Sequence, residues 1–150
     1  MMDIESLSCK IECQDTLSRF CAALDGEGGA EAFLADDVVI VGPEGEAVGA
    51  DAHHLIKARN SEIVTRHIVT RHIVTNLLIT PTGPCTADGK AYCLLYTTPR
   101  DEAGSIVATM PECPSAAGNF ELQFRKTTSG WKISRYHSIA VIVAGKSVQA

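Results

Sequence analysis

The 150-residue sequence has no uninterrupted apolar run near the ~20 residues that a bilayer crossing requires. It has no basic excess either. Thirteen Lys and Arg against 18 Asp and Glu leave a formal charge of −5 and a pI near 5.5. That balance argues against a nucleic-acid partner, which needs a basic face. No Cys-x-x-Cys pair occurs among the six cysteines, so a zinc ribbon or a thioredoxin-type redox site has no support. The segment from Met1 to Lys10 is polar and acidic, without the charged-then-apolar pattern of a secretory signal. The expectation is a cytoplasmic protein with no membrane partner.

What is present is the composition of a folded domain. Hydrophobic residues make up 45% and charged residues 21%, which suits one globular domain with one core over residues 1–150 and not a disordered chain. Cys9, Cys13 and Cys21 fall in or near a helical pattern, while Cys85, Cys93 and Cys113 are scattered. The simplest reading makes them small buried or half-buried thiols. A Cys9–Cys13 disulfide is disfavoured, because two residues four apart on one helix lack bridging geometry.

Glu5 to Leu24 reads as a helix from Leu7, Ile11, Leu17, Phe20, Cys21 and Leu24 at three- and four-residue spacings. Asp25-Gly26-Glu27-Gly28-Gly29 stops it. A short helix over Ala30 to Leu34 precedes a β-branched strand, Val38 to Val41. Pro43 to Glu46 then turns the chain into a return strand at Ala47-Val48. Asp51 is placed to cap a helix running toward Glu62. From there the chain is β-rich. Strands are expected at Ile68 to Thr80, ended by Pro81-Thr82-Gly83-Pro84, then at Lys90 to Thr98, Phe120 to Lys126 and Trp131 to Val143. Helices first and a strand meander second give an α+β class, with N-terminal helices packed on one face of a curved mixed sheet. Such a sheet encloses a cone-shaped cavity suited to a small molecule.

The most unusual feature is a tandem repeat. Ile63 to His67 and Ile68 to His72 both read Ile-Val-Thr-Arg-His, and a third copy breaks at Asn76. Side chains on a strand alternate faces, so a five-residue offset would send His67 and His72 to opposite sides. A strand from Thr65 to Ile79 would also run ~50 Å, well beyond usual strand lengths. The first copy is therefore expected in a helix end or connecting loop, with His67 outside any pocket.

Taken in order, several short pieces resemble the SnoaL-like branch of the nuclear-transport-factor-2-like superfamily, from Ile11 to about Ile142. They are Leu24-Asp25-Gly26 at the end of the first helix, Asp36-Asp37-Val38, Gly49-Ala50-Asp51, Arg71 to Asn76, Phe124-Arg125, and Gly130-Trp131-Lys132-Ile133. The pattern is similar to scytalone dehydratase and hexachlorocyclohexane dehydrochlorinase. The resemblance implies a cone-shaped α+β barrel in which a helix-end aspartate orients a histidine that removes a proton from carbon. The matching positions are Asp25 and His72. The His-x-x-x-Asn spacing to Asn76 favours His72 over His67, and Arg125 matches a pocket arginine. The resemblance also implies a homodimer or homotrimer. The dehydratase's paired pocket tyrosines have no clear counterpart, and the polar segment from Arg100 to Gly118 matches neither relative.

A neutral imidazole is available as a base near neutral pH, and a carboxylate on its other nitrogen fixes the tautomer. Arg125, or a hydroxyl from Tyr92 or Tyr96, is a candidate to stabilise the anion that develops. His137, on the strand face assigned to Trp131, Ile133 and Arg135, is a further pocket candidate. Such a site needs no metal or organic cofactor. It suits a lyase or isomerase reaction on a small organic substrate: elimination, double-bond shift, polyketide-cyclase-like ring closure or rearrangement, in catabolism or secondary metabolism. Plainer readings stand beside this one. Asp25 is also a common turn residue, His72 a possible core histidine, Arg125 a possible surface residue, and Trp131 reads as core. His53 and His54, adjacent on a helix, cannot share one metal site. The alternative functions are a non-catalytic ligand-binding or assembly domain, with Thr97, Gln123 and Ser134 on an oligomer face, and a protein like the dioxygenase small subunits.

Overall fold

A computed structural model describes residues 3–102, 105 and 107–145. Helix α1 (Ile4–Ala22) is capped by Asp3, whose carboxylate accepts a hydrogen bond from Ser6 N at 2.7 Å. This satisfies one of the free N–H groups at the helix start. Its buried stripe is Cys9, Cys13, Thr16, Leu17, Phe20 and Cys21. Leu7 and Ile11, expected inside, are 48% and 59% exposed. The small thiols of Cys9 and Cys13 are buried on the sheet-facing side instead. The helical path then widens into a π-turn over Ala23–Glu27, carried by Gly26 at φ 118°, which a residue with a Cβ rarely adopts.

A 3₁₀ turn (Ala30–Phe33) leads into β1 (Leu34–Gly42) and β2 (Gly45–Val48). Helix α2 (Ala50–Thr65) follows. Gly49, not Asp51, is its N-cap, with φ 57° and an N–H bonded to Val38 O, and Asp51 sits in the first turn. The remaining elements are β3 (Ile68–Gly83), β4 (Thr86–Pro99), β5 (Ala116–Thr127) and β6 (Gly130–Val143). β3 runs on through Pro81, which was expected to end it. It lies at the edge of the sheet, where a proline is tolerated within a strand.

The sheet order is β2-β1-β6-β5-β4-β3. β1 and β6 are parallel and the other neighbours antiparallel. The fold is thus α+β, two helices on one face of a six-stranded mixed sheet. The sheet stays open, with β2 and β3 as its edges. Leu17 and Phe20 of α1 and Ile56 of α2 close over Val38, Ile40, Phe124, Ile133 and Trp131, burying the inner face. Trp131 is core, as expected. Cys9, Cys13, Cys21 and Cys93 are buried free thiols, whereas Cys85 and Cys113 are exposed. Among the described residues no helix is long and apolar enough to cross a membrane.

Candidate active site

The π-turn turns the Asp25 carboxylate toward the start of β3, where it meets three donors. His72 Nδ1 lies 2.6 Å from Oδ1, Thr70 Oγ1 donates to the same oxygen at 3.0 Å, and the His72 backbone N–H donates to Oδ2 at 2.9 Å. The two side chains are 14% (His72) and 11% (Asp25) exposed. A carboxylate held by several donors in a partly dry site is a rigid acceptor. The acceptor fixes the proton of neutral His72 on Nδ1 and directs Nε2 away from the helix. Among the described residues no hydrogen bond reaches Nε2.

His72 forms one wall of a small cleft of about 60 Å³. Its other walls include Leu95, Phe120, Ile139, Cys93 and Ser138. Gly118 opens the floor. A Cβ there would stand 2.2 Å from Ile139 O, so only glycine lets β5 and β6 approach this closely. Burial, then the Asp25 charge, pushes the Cys93 thiol up to about 11. Burial, then Cys93 and Asp25, pushes Cys21 up to about 12. Both thiols are therefore neutral near pH 7 and neither is a thiolate nucleophile. The Tyr136 phenol is raised by burial, between Phe20 and Phe120 at ring-centroid distances of 5.3 and 5.2 Å.

The two histidines of the repeat part completely. His67 is exposed, takes φ 52° between α2 and β3, and bonds Val64 O and Arg100 N through its backbone. The first copy thus ends a helix and fills the connecting turn, as expected.

Five further candidates lie elsewhere. Arg125 pairs in register with Thr86, nine residues along β4 from Leu95, the partner of His72. That is about 30 Å along the strand, and its guanidinium pairs with Asp37. Tyr96 is paired with Arg71 and Tyr92 with Thr75, so both tyrosines point to the face opposite His72. Tyr92 is 57% exposed. Asn76 and Leu77 together oppose Ala91, a β-bulge in which Asn76 takes φ 53°. The bulge sends Leu77 inward and leaves Asn76 exposed, so its spacing to His72 does not make it a pocket neighbour. A second bulge at Ser134 inverts β6 after Ile133. Tyr136 and Ser138 therefore take the inner face, and His137 turns outward, 3.9 Å from Glu121. His53 bonds Ala35 O at 3.0 Å, and no metal-binding cluster exists among the described residues.

Two polar residues of the site escaped the sequence reading. Thr70 shares the face of His72, two positions before it, but its partner Asp25 lies 45 positions away. Ser138 was hidden by the Ser134 bulge.

A search of curated proteins gave no match. Among solved structures, a scytalone dehydratase-like protein from Novosphingobium aromaticivorans superposes with a TM-score of 0.76 at 17% identity, over 99% of this chain and 95% of that one. LinA superposes at 0.71 and 18% identity, over 100% of this chain and 99% of its own. ActVI-ORFA from Streptomyces coelicolor gives 0.69 and 17%, over 87% and 96%. At such identities the likeness is one of fold. The SnoaL-like domain model matches residues 5–137, and the chain belongs to that family.

Proposed function

We propose that the protein is a cofactor-independent lyase or isomerase in which His72 removes a proton from carbon and Asp25 orients it. The observation that carries this reading is the 2.6 Å contact of His72 Nδ1 with Asp25, beside a mostly apolar cleft that His72 lines. In an elimination, the C–H electron pair forms the new double bond while the proton moves to Nε2. The leaving group departs with its own bonding pair. His72 becomes an imidazolium, stabilised by Asp25. In an isomerisation the same imidazolium returns the proton at another carbon. With Arg125, Tyr92 and Tyr96 away from the cleft, Ser138 is the hydroxyl-bearing residue of its lining and the candidate to stabilise the developing negative charge. The apolar walls favour a small, largely uncharged organic substrate. Its partners in this reading are that substrate and other copies of the chain. A cytoplasmic location fits six free cysteines, which persist in reducing compartments.

The test uses a generic carbon acid. Hydrogen–deuterium exchange at the α-carbon of 2-tetralone in D2O, followed by NMR, is expected to run faster with the protein than with its His72→Ala variant. Equal rates would remove the base from the proposal.

A second reading, an assembly or ligand-binding domain, draws on the outer sheet face, where Ile73, Leu78, Tyr92 and Val141 are 47–63% exposed. Apolar groups on one such face mark an association surface. Light scattering that gives a dimer or trimer, together with no exchange activity, would favour this alternative.

A further inference from the structure

Asp25 depends on a turn that the helix itself does not hold. In the π-turn the Gly28 N–H reaches back to Ala23 O at 3.1 Å, and Gly26 breaks the helical path. The carbonyls of Ala23 and Leu24, the two residues before Asp25, then face α2. There Asn60, 8% exposed, donates from Nδ2 to Ala23 O at 2.9 Å and to Leu24 O at 3.4 Å. Its Oδ1 is buried with no partner among the described residues. A buried amide with one end unsatisfied is unfavourable, and an apolar side chain of similar size would avoid the cost. The donor end is the part with a task.

We propose that Asn60 is a positioning residue that sets the direction of the Asp25 carboxylate, and through it the tautomer of His72. The inference rests on the Asp25–His72 reading above. Its path is short: one side chain clamps two carbonyls, and the next residue is Asp25. Without the clamp the π-turn can relax toward an ordinary helical turn. That shift changes the register of Asp25 against β3 and loosens all three of its hydrogen bonds together. Asn60 touches no substrate. It acts on the geometry of a group that does, where misplacements near 1 Å matter.

The experiment needs no substrate. In protein labelled with 15N-histidine, NMR reads the ring nitrogens of His72, assigned by the loss of its signals in His72→Gln. Wild type is expected to show a single Nδ1–H tautomer with a slowly exchanging, downfield ring proton. Asn60→Leu is expected to lose that proton signal and to populate both tautomers, and Asn60→Asp, which keeps the shape but not the donor, to do the same. Ile56→Ala is the control, since it removes core packing one turn along the same helix and leaves the Asn60 amide and its two hydrogen bonds in place. It is expected to lower the melting temperature and keep the wild-type signal. Retention of the single tautomer in a folded Asn60→Leu or Asn60→Asp would overturn the inference. So would its loss in Ile56→Ala. Absence of the Nδ1–H signal from the wild type itself would instead overturn the dyad reading, so the two failures are separable.

Discussion

The two copies of Ile-Val-Thr-Arg-His are identical in sequence and opposite in structure. In the first, Ile63 to Thr65 close α2, Arg66 caps it and His67 turns the chain in a left-handed conformation. In the second, all five residues are strand, Thr70 and His72 bond Asp25, and Arg71 faces outward. Local propensity is the same for both, so it decides neither. The difference lies in what each copy can pair with. Residues from Ile68 onward have β4 beside them, in unbroken register from Ile68 with Pro99 to Thr75 with Tyr92. The first copy has no strand beside it, and its backbone is satisfied by helical bonds instead.

The comparison is most strongly tested by removing the histidine of the second copy and then its aspartate partner. His72→Ala is expected to reduce carbon-acid exchange by about 10²–10⁴-fold, the usual contribution of a general base. Asp25→Asn is expected to cost about 10²-fold or more at similar shape, because the amide can present its N–H to Nδ1 and favour the wrong tautomer. The same assay measures both.

A stability prediction sharpens the contrast between the buried copy and the exposed one. Cys93 and Cys21 are neutral beside His72 and Asp25 in the folded chain, and unfolding frees them to ionise above pH 9.0, their ordinary value. Stability that is fully present below pH 9 is therefore lost as pH rises through about 11, the folded value of Cys93. The share from Cys93 is on the order of 2–3 kcal/mol. Denaturant titrations of Cys93→Ala are expected to show a shallower decline from pH 9 to 11 than wild type.

The smallest effects belong to the two positive-φ positions, His67 and Asn76. His67→Gly and Asn76→Gly keep the backbone shape, so each is expected to change stability by less than about 1 kcal/mol and exchange activity by less than about twofold. A large activity loss in His67→Gly would break the distinction between the copies. Asn76→Val is expected to lower stability by about 1–2 kcal/mol, since a β-branched residue resists that conformation. It would thereby show that the asparagine serves the bulge.

The sequence by itself determined the α+β class, the order of the elements, a break of the first helix around Asp25 and Gly26, and the exclusion of His67 from the strand. These rest on spacing, on glycines and on strand length, all of which are local. The Asp25–His72 pairing came from resemblance, and the two side chains lie 2.6 Å apart. The four strand-borne misplacements, Tyr92, Tyr96, Asn76 and His137, share one cause: which face a side chain takes was not fixed by its neighbours in sequence. Bulges at Asn76 and Ser134 shift alternation by one residue, and a bulge is set by the partner strand's register. Arg125 failed for distance, because only the sheet order shows how far it lies from β3. Tertiary structure alone decided that Thr70 and Ser138 join the site, and that Asn60 holds the turn from which Asp25 extends. The Asn60 and Thr70 contacts join residues 36 to 45 positions apart around Asp25, and no local pattern encodes a meeting across that separation.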